Sequence, residues 1–261
     1  MSFRNFKVPY AVEERYSKKV AYFSMEFAVH QPLKIYSGGL GFLAGSHLRS
    51  AYELRQNMIS IGILWKYGYY DQARNQDQTL QVGWMEKQAA FLEDTGIQFQ
   101  VIIHEHPVWV KAWYLNPETF NSAPLFLLST DLPENDYVSQ TITHRLYDAN
   151  VATKVAQFIL LGAGGAKLVE ELGFNPDLYH LNEAHGLSAG DDIVERLIAG
   201  QAFFGNFLGQ NLKNGAVFCR CQWRCLASLI DAGDGLLRRR RLIRLCRRAL
   251  IARRRPLGRL I

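Results

Sequence analysis

A glycine-rich segment near the start of the chain has the composition of an anion-binding loop. It reads Tyr36-Ser37-Gly38-Gly39-Leu40-Gly41, follows an apolar stretch at residues 20–24, and precedes apolar residues spaced three and four apart, the pattern of a helix with one buried face. The first amides of such a helix have no partner within it and carry partial positive charge, so a phosphate fits there. The segment matches neither Gly-x-Gly-x-x-Gly nor the Gly-Lys-Ser/Thr phosphate loop. Spacing alone therefore also allows an ordinary tight turn.

A second polar group lies far along the chain. Asn182-Glu183-Ala184-His185-Gly186 comes at the end of a short apolar run, residues 178–182, that is predicted to be a strand. An amide beside a carboxylate suits ligands rich in hydroxyl groups, such as sugars, because each group can bind a ring hydroxyl. The alternative is a structural role in which these side chains cap the next helix.

The elements around these two groups predict a doubly wound α/β fold. The glycine segment lies between predicted strands at residues 20–24 and 59–65, with a helix after the glycines, which is a parallel crossover unit. A long amphipathic helix is predicted between Asn150 and Gly173. Further strands are predicted at residues 101–106, 108–115, broken at Pro107, 124–129 and 178–182. In such a fold, ligands bind outside the carboxyl ends of the parallel strands.

Two other motifs invite a functional interpretation that the sequence does not favour. Gly162-Ala163-Gly164-Gly165 resembles half of a dinucleotide fingerprint, but it lies inside the predicted long helix, where close helix packing explains it better. His104-Glu105-His106 would place two imidazoles on one face of a strand, as metal ligands require. With no third ligand nearby in sequence, a solvated edge is the better interpretation, and no metal site is predicted.

Charge and cysteine divide the chain near residue 218. The 261 residues carry a net charge of +6, yet the segment from Cys219 onward has thirteen Arg, no Lys and two acidic residues, so it holds +11 and the remainder −5. All four cysteines lie in that segment, and no histidine accompanies them, which argues against a zinc site. No secretory leader or stretch of about 18 apolar residues is visible. We therefore expect a cytoplasmic protein without a membrane span.

Four stretches of the sequence have to be considered together: residues 20–27, 36–45, 62–72 and 179–186. Together these four blocks resemble the N-terminal lobe of the α-glucan (glycogen, starch and maltodextrin) phosphorylases. Their order and spacing fit the shorter bacterial members of that family, and the match is best over residues 18–187. A set of four ordered blocks is much more specific than one glycine loop.

The resemblance implies a GT-B glycosyltransferase with two Rossmann-like lobes and the active site between them. The family uses orthophosphate to cleave α-1,4-glucans and releases glucose 1-phosphate. Its pyridoxal phosphate is held as a Schiff base by a lysine of the second lobe. A homo-oligomer is possible for the full-length enzyme, and neither a membrane nor nucleic acid is an expected partner.

The resemblance also assigns site residues. Gly38, Gly39 and Leu40 match the loop whose backbone faces the substrate phosphate and the glucosyl unit. Asn182, Glu183 and His185 match the block that lines the sugar cleft, and the family often has aspartate where Glu183 stands. Longer members have a tyrosine where this chain has Ala28, so that cofactor contact is not carried over.

The resemblance ends where the composition changes. The family has Val-Phe-Thr-Thr-His-Thr-Pro after the Asn-Glu-x-His block, whereas here Val217-Phe218 is followed by Cys219-Arg220-Cys221-Gln222. Codons for this stretch, offset by two bases, can encode Pro-Val-Pro-Val, so a shifted reading frame is one hypothesis. On it, residues 1–218 are the phosphorylase lobe and 219–261 are not natively folded. The alternative is an arginine-rich arm that binds nucleic acid or a membrane.

Without the second lobe, its cofactor lysine and its basic phosphate ligands, we expect this chain alone neither to bind pyridoxal phosphate nor to catalyse the reaction. Two other functions remain open from the sequence. One is a glycogen or starch synthase-like GT-B enzyme, although a lysine usually precedes the glycines there and Tyr36-Ser37 stand here. The other is a non-catalytic protein that binds glucan or polyanions.

Overall fold

The computed structural model describes residues 3–186 and 188, and it is a mixed α/β domain. The arginine-rich segment and all four cysteines lie outside the described residues. The strands are β1 (Val20–Phe23), β2 (Met58–Ile63), β3 (Asp71–Arg74), β4 (Leu80–Gly83), β5 (Glu93–Ile103), β6 (His106–Leu115), β7 (Leu125–Ser129) and β8 (Leu178–Leu181). The α-helices are α1 (Gly39–Glu53), α2 (Pro117–Phe120), α3 (Tyr137–Thr141), α4 (Val151–Ile159) and α5 (Gly165–Glu171).

The central sheet has six strands in the order β5-β6-β7-β2-β1-β8. The four strands β7, β2, β1 and β8 run parallel, whereas β5 and β6 are antiparallel additions at one edge. Numbered by their place among the parallel strands, the order is 3-2-1-4, the Rossmann-like arrangement in which the winding direction reverses between strands 1 and 4. The predicted α/β fold with a mostly parallel sheet is therefore confirmed.

Helices cover both faces of this sheet. Tyr22 and Phe23 are neighbours in β1, so their side chains point to opposite faces. The Tyr22 ring lies 4.8 Å from the ring of His47 in α1. A Cβ placed on Gly165 of α5 would lie 2.5 Å from the Phe23 ring. Because α1 and α5 thus lie on opposite faces, the core strands are buried on both sides, and every residue of β2 and β7 is buried.

The glycine motif of the long helix has a packing role. The predicted helix is a continuous helical segment in which α4 and α5 are joined by a π-helical stretch, Leu160–Gly164. Gly165 lets α5 lie so close to the Phe23 ring that a Cβ at this position would be only 2.5 Å from it. The segment ends at Gly173, whose φ of +60° suits glycine.

The hairpin of β5 and β6 corrects one prediction. The two strands are not broken at Pro107: the reversal occurs at His104 and Glu105, both with positive φ, and β6 begins at His106. Two consecutive left-handed residues make the tight turn that twisted hairpins prefer. Pro107 lies opposite Ile102 of β5, and β7 pairs with β6 only from Lys111 onward. The backbone N–H that proline lacks is therefore not needed for pairing with β7.

Several elements were not predicted. The exposed hairpin of β3 and β4 and the short helices α2 and α3 have too few apolar residues to produce a periodic pattern. Both short helices begin with a side-chain cap, in which Asn116 and Asp136 accept backbone amides. Across the described ranges, no helix has the length and apolarity needed to cross a membrane.

A cluster of two histidines and one tyrosine joins α1 to β1 and β8. The rings of His47 and His180 each lie 4.8 Å from Tyr22 and 5.7 Å from each other. Burial lowers the pKa of His47, and burial together with the neighbouring His47 charge lowers the pKa of His180. Both imidazoles are therefore neutral in the stable fold.

We expect Gly45→Ala to destabilise the domain and Gly39→Ala to leave its stability nearly unchanged. A Cβ at Gly45 would lie 2.2 Å from the backbone oxygen of Ala28, which cannot rotate away, whereas a Cβ at Gly39 would meet nothing within 4 Å. The expected losses in unfolding free energy are about 1–3 kcal/mol or more for Gly45→Ala and at most about 0.5 kcal/mol for Gly39→Ala. Urea unfolding of both variants measures this difference, and equal midpoints would contradict the packing.

We expect the domain to lose stability as the pH falls below about 6.5, the usual histidine pKa of an unfolded chain. The folded pKa values of His47 and His180 are lowered, so the unfolded chain binds protons more readily in this range. His47 should contribute the larger part, because His180 packs against Tyr22 and His47 on one side but remains more accessible to solvent than His47. The melting temperature should fall less steeply between pH 7.5 and 5 in His47→Gln than in the control His30→Gln. Identical slopes would rule out this origin.

Candidate functional site

The two polar groups singled out in the sequence meet at one edge of the sheet. Strands β1 and β8 pair in parallel, with Phe23 opposite Leu181, so the chain leaves both strands at the same level. The amide of Asn182 continues the pairing by donating to the oxygen of Phe23 at 2.8 Å. The glycine loop follows β1 and the Asn182 block follows β8. They lie at the carboxyl ends of the two strands between which the winding reverses, where such folds bind ligands.

A buried carboxylate, Glu26, holds the glycine loop. Its side chain is 1% exposed. Oε2 accepts the backbone amide of Ser37 at 2.6 Å, that of Gly38 at 3.2 Å and the Ser37 hydroxyl at 3.3 Å. Oε1 accepts the hydroxyl of Tyr147. These donors compensate the carboxylate for the water that it loses on burial.

Glu26 and Tyr147 were not identified as site residues from the sequence. One signal was available for Glu26, because it is the only charged residue in the apolar run at residues 20–29. Tyr147 lies about 120 positions away and has no local signature. Its backbone has a φ of 58°, a left-handed conformation that is unusual for tyrosine and is found where surrounding structure imposes it.

The three residues predicted to bind phosphate differ in whether their backbone amides already have a hydrogen-bond acceptor. The Gly38 amide already donates to Glu26. Gly39 and Leu40 occupy the first turn of α1, where amides have no intrahelical acceptor. Within residues 3–186 and 188, no other protein acceptor receives these two amides. Of the three predicted residues, Gly39 and Leu40 are therefore the two whose amides are not used by an acceptor among the described residues.

The glycines of the loop fall into two kinds. A Cβ on Gly41 would lie 2.5 Å from the Cβ of Tyr36 and 3.0 Å from Oε2 of Glu26, so the fold itself requires glycine there. Neither Gly38 nor Gly39 has positive φ, and a Cβ on either would meet nothing within 4 Å. The protein's own packing does not require these two glycines. They leave open space against the backbone, which a ligand can approach closely.

Asn182 is linked to the segment that carries Glu26. Its side chain is 8% exposed, and Nδ2 donates to Oγ of Ser24 at 3.1 Å. The Ser24 hydroxyl donates in turn to the backbone oxygen of Glu26 at 2.9 Å and accepts its amide at 3.3 Å. A buried hydrogen-bond chain thus connects the end of β8 with the loop after β1.

Glu183 and His185 occupy different environments. Glu183 is exposed and has a φ of 67°. His185 is half-buried, with its ring 5.0 Å from Phe158 and 6.3 Å from Tyr147. Its Nδ1 is buried and finds no hydrogen-bond partner in the described part of the protein. Burial lowers the pKa of His185 more than the charges of Glu183 and Glu26 raise it, so the imidazole is neutral and can donate or accept a hydrogen bond.

Tyr147 keeps its proton. Burial and the hydrogen bond to Glu26 both raise its pKa well above the usual range. The edge therefore presents free amides, neutral hydroxyl and imidazole groups and carboxylates. This set can bind an anion beside a polyhydroxyl ligand. Among the described residues, no three His, Cys, Asp or Glu side chains are grouped to hold a metal ion.

Comparison with curated proteins gives phosphorylases among the relatives of this chain. A maltodextrin phosphorylase of Thermococcus litoralis is 35% identical over 179 residues, which are 66% of this chain and 21% of that protein. A glycogen phosphorylase of Mycobacterium tuberculosis is 31% identical over 195 residues, 69% of this chain and 22% of that protein. Over this stretch the chain is phosphorylase-like.

The phosphorylase-like stretch has a further, more similar relative. An uncharacterized protein of Methanocaldococcus jannaschii is 49% identical over 178 residues, 68% of this chain and 34% of that protein. No protein-family model matches the chain. The chain thus spans about a fifth to a third of the curated relatives that it matches.

We expect Ser24→Ala to destabilise the phosphorylase-like domain by about 1–3 kcal/mol, because it leaves buried donors of Asn182 and Glu26 without their acceptor. Ser60→Ala is the matched control, since the Ser60 hydroxyl is buried and has no partner within the described ranges. Its removal should be neutral or stabilising. Chemical unfolding of the two variants tests this, and an equal effect would show that the chain of hydrogen bonds contributes nothing.

Proposed function

We propose that this chain represents the N-terminal lobe of an α-glucan phosphorylase, a GT-B glycosyltransferase. The family reaction transfers a glucosyl unit from an α-1,4-glucan to orthophosphate and yields glucose 1-phosphate. The observation that carries the proposal is that the glycine loop and the Asn182 block lie at the carboxyl ends of the neighbouring parallel strands β1 and β8 and are linked through Ser24 and Glu26. The similarity to glycogen and maltodextrin phosphorylases supports it.

In this proposal the loop contributes electrostatics and position. Attack of phosphate on a glycosidic carbon passes through an oxocarbenium-like transition state beside a dianion. Backbone amides at a helix N-terminus stabilise that anion without supplying a proton. Gly38 and Gly39 keep side chains away from this place, and the Gly39 and Leu40 amides donate.

The Asn182 block contributes the sugar side. The half-buried imidazole of His185 and the exposed carboxylate of Glu183 are the groups we assign to glucosyl hydroxyls. Asn182 acts mainly by fixing the loop, because its amide nitrogen is committed to Ser24. These assignments divide the three predicted substrate residues into two that contact sugar and one that supports them.

Neither Lys66 nor Lys87 has the properties expected of the lysine that would hold pyridoxal phosphate. A Schiff base needs an amine that readily becomes neutral. Lys66, which follows β2, lies 2.7 Å from Asp131, and its hydrogen bond to that carboxylate raises its pKa. Lys87 is similarly paired with Asp71 at 2.5 Å. We assign the cofactor lysine to the second lobe of the family and derive no step through the cofactor.

We also propose that the arginine-rich segment from about Cys219 results from a shifted reading frame. Its support is the abrupt change in composition directly after Val217-Phe218. Reading the coding DNA in all three frames tests this. A lysine-bearing second lobe in another frame supports the proposal, and an intact frame confirmed by resequencing overturns it.

We expect orthophosphate added to the full chain to shift the amide NMR signals of Gly39 and Leu40. Binding should be weak, because one wall of the site supplies few contacts. Gly39→Ala should reduce the affinity several-fold without unfolding the domain, since the added methyl group meets only the ligand. Maltoheptaose should shift the signals of Glu183 and His185.

The same titration separates the competing functions. Phosphate shifts confined to the arginine-rich segment favour a polyanion-binding protein. Maltoheptaose shifts without any phosphate response at the loop favour a non-catalytic glucan-binding protein. Either outcome would overturn the proposed phosphate role of Gly39 and Leu40.

A further inference from the structure

The glycine loop is held in place by the carboxylate of Glu26, and in the proposed function it also binds a phosphate. Glu26 occupies the amides of Ser37 and Gly38, two consecutive donors of the loop. The next two amides, those of Gly39 and Leu40 at the start of α1, have no acceptor among the described residues. Of these four consecutive amides, two therefore bind a fixed carboxylate and two can bind another acceptor.

The carboxylate is fixed from three directions. Gly41 lies over it, with no room for a side chain, because a Cβ there would be 3.0 Å from Oε2. Tyr147 donates to Oε1 from the segment before α4 and has a left-handed backbone that brings it there. Ser24, supported by Asn182, fixes the backbone of Glu26 on both its amide and its oxygen.

We propose that Glu26 is the positioning residue of the glycine loop: by occupying the amides of Ser37 and Gly38, it confines an incoming anion to those of Gly39 and Leu40. Two negative charges repel each other strongly where there is little solvent, so they cannot share the same donors. The carboxylate therefore excludes the anion from the amides of Ser37 and Gly38. Tyr147 assists by holding the other carboxylate oxygen. The inference rests on the proposed phosphate role of the loop.

The first test measures the loop without any ligand. Hydrogen exchange of the Ser37 and Gly38 amides should be slow in the wild-type chain and at least about tenfold faster in Glu26→Ala, which removes a charged acceptor. Glu26→Gln keeps an acceptor oxygen of the same shape and should restore slow exchange to within a few-fold. Equal exchange in wild type and Glu26→Ala would overturn the positioning role.

Tyrosine variants provide a matched pair. Tyr147→Phe removes the donor to Glu26 and should speed exchange at Ser37 and Gly38 several-fold. Tyr114→Phe also removes a buried hydroxyl, but one without a partner in the described residues, and should leave the loop unchanged. If Glu26→Ala does not fold, this pair decides: a selective effect of Tyr147→Phe supports the proposal, and no effect overturns it.

The second test asks where orthophosphate binds, which a merely structural role would not change. In wild type and Glu26→Gln the phosphate shifts should be confined to Gly39 and Leu40, with tighter binding in Glu26→Gln because the repulsion is gone. In Glu26→Ala they should extend to Ser37 and Gly38. Shifts that stay in the same place in Glu26→Ala would overturn the proposal. Absence of phosphate shifts in every variant would refute the proposed function, while the exchange data would still decide whether Glu26 holds the loop.

Discussion

The parallel pairing of β1 with β8 is the interaction on which the candidate site depends. It joins residues about 158 positions apart, beginning at Val20 and Leu178, and brings the ends of both strands to one level. Without it, the glycine loop and the Asn182 block would be unrelated surface segments. With it, the Asn182 side chain reaches Ser24, and the backbone that carries Glu26 is fixed from the opposite strand. The site is thus a property of the sheet order rather than of either motif.

The sequence was informative where local pattern and topology coincide. The buried runs that became β1, β2 and β7 were recognisable because parallel strands covered on both faces are continuously apolar. β8 was predicted from a short apolar run, although its residues are exposed or half-buried. The helix after the glycines followed from its periodicity. Once these elements were ordered, the rule that ligands bind at carboxyl ends placed both groups at one edge.

The remaining features depend on contacts that no local pattern encodes. Pro107 suggested a break in the strand, yet the turn lies at His104 and Glu105. Proline is tolerated within β6 because β7 pairs with β6 only from Lys111 onward, and this pairing cannot be read from the local sequence. The sequence also did not show how the glycine loop uses its amides. Gly38 donates to a carboxylate twelve residues earlier, whereas the Gly39 amide has no acceptor among the described residues. Tyr147 became relevant only through its three-dimensional contact with Glu26.

The long separation of β1 and β8 also governs the order in which the protein can acquire its site. Contacts between distant segments form late in folding, because the loss of chain entropy on closing so large a loop is offset only after the intervening elements have assembled. On the ribosome, β1 and the glycine helix emerge and can pair with β2 long before Leu178 is synthesised. The edge of β1 that pairs with β8 in the folded domain therefore remains unpaired until β8 has been synthesised. We therefore expect the edge formed by β1 and β8 to assemble last, after nearly the whole described domain has folded.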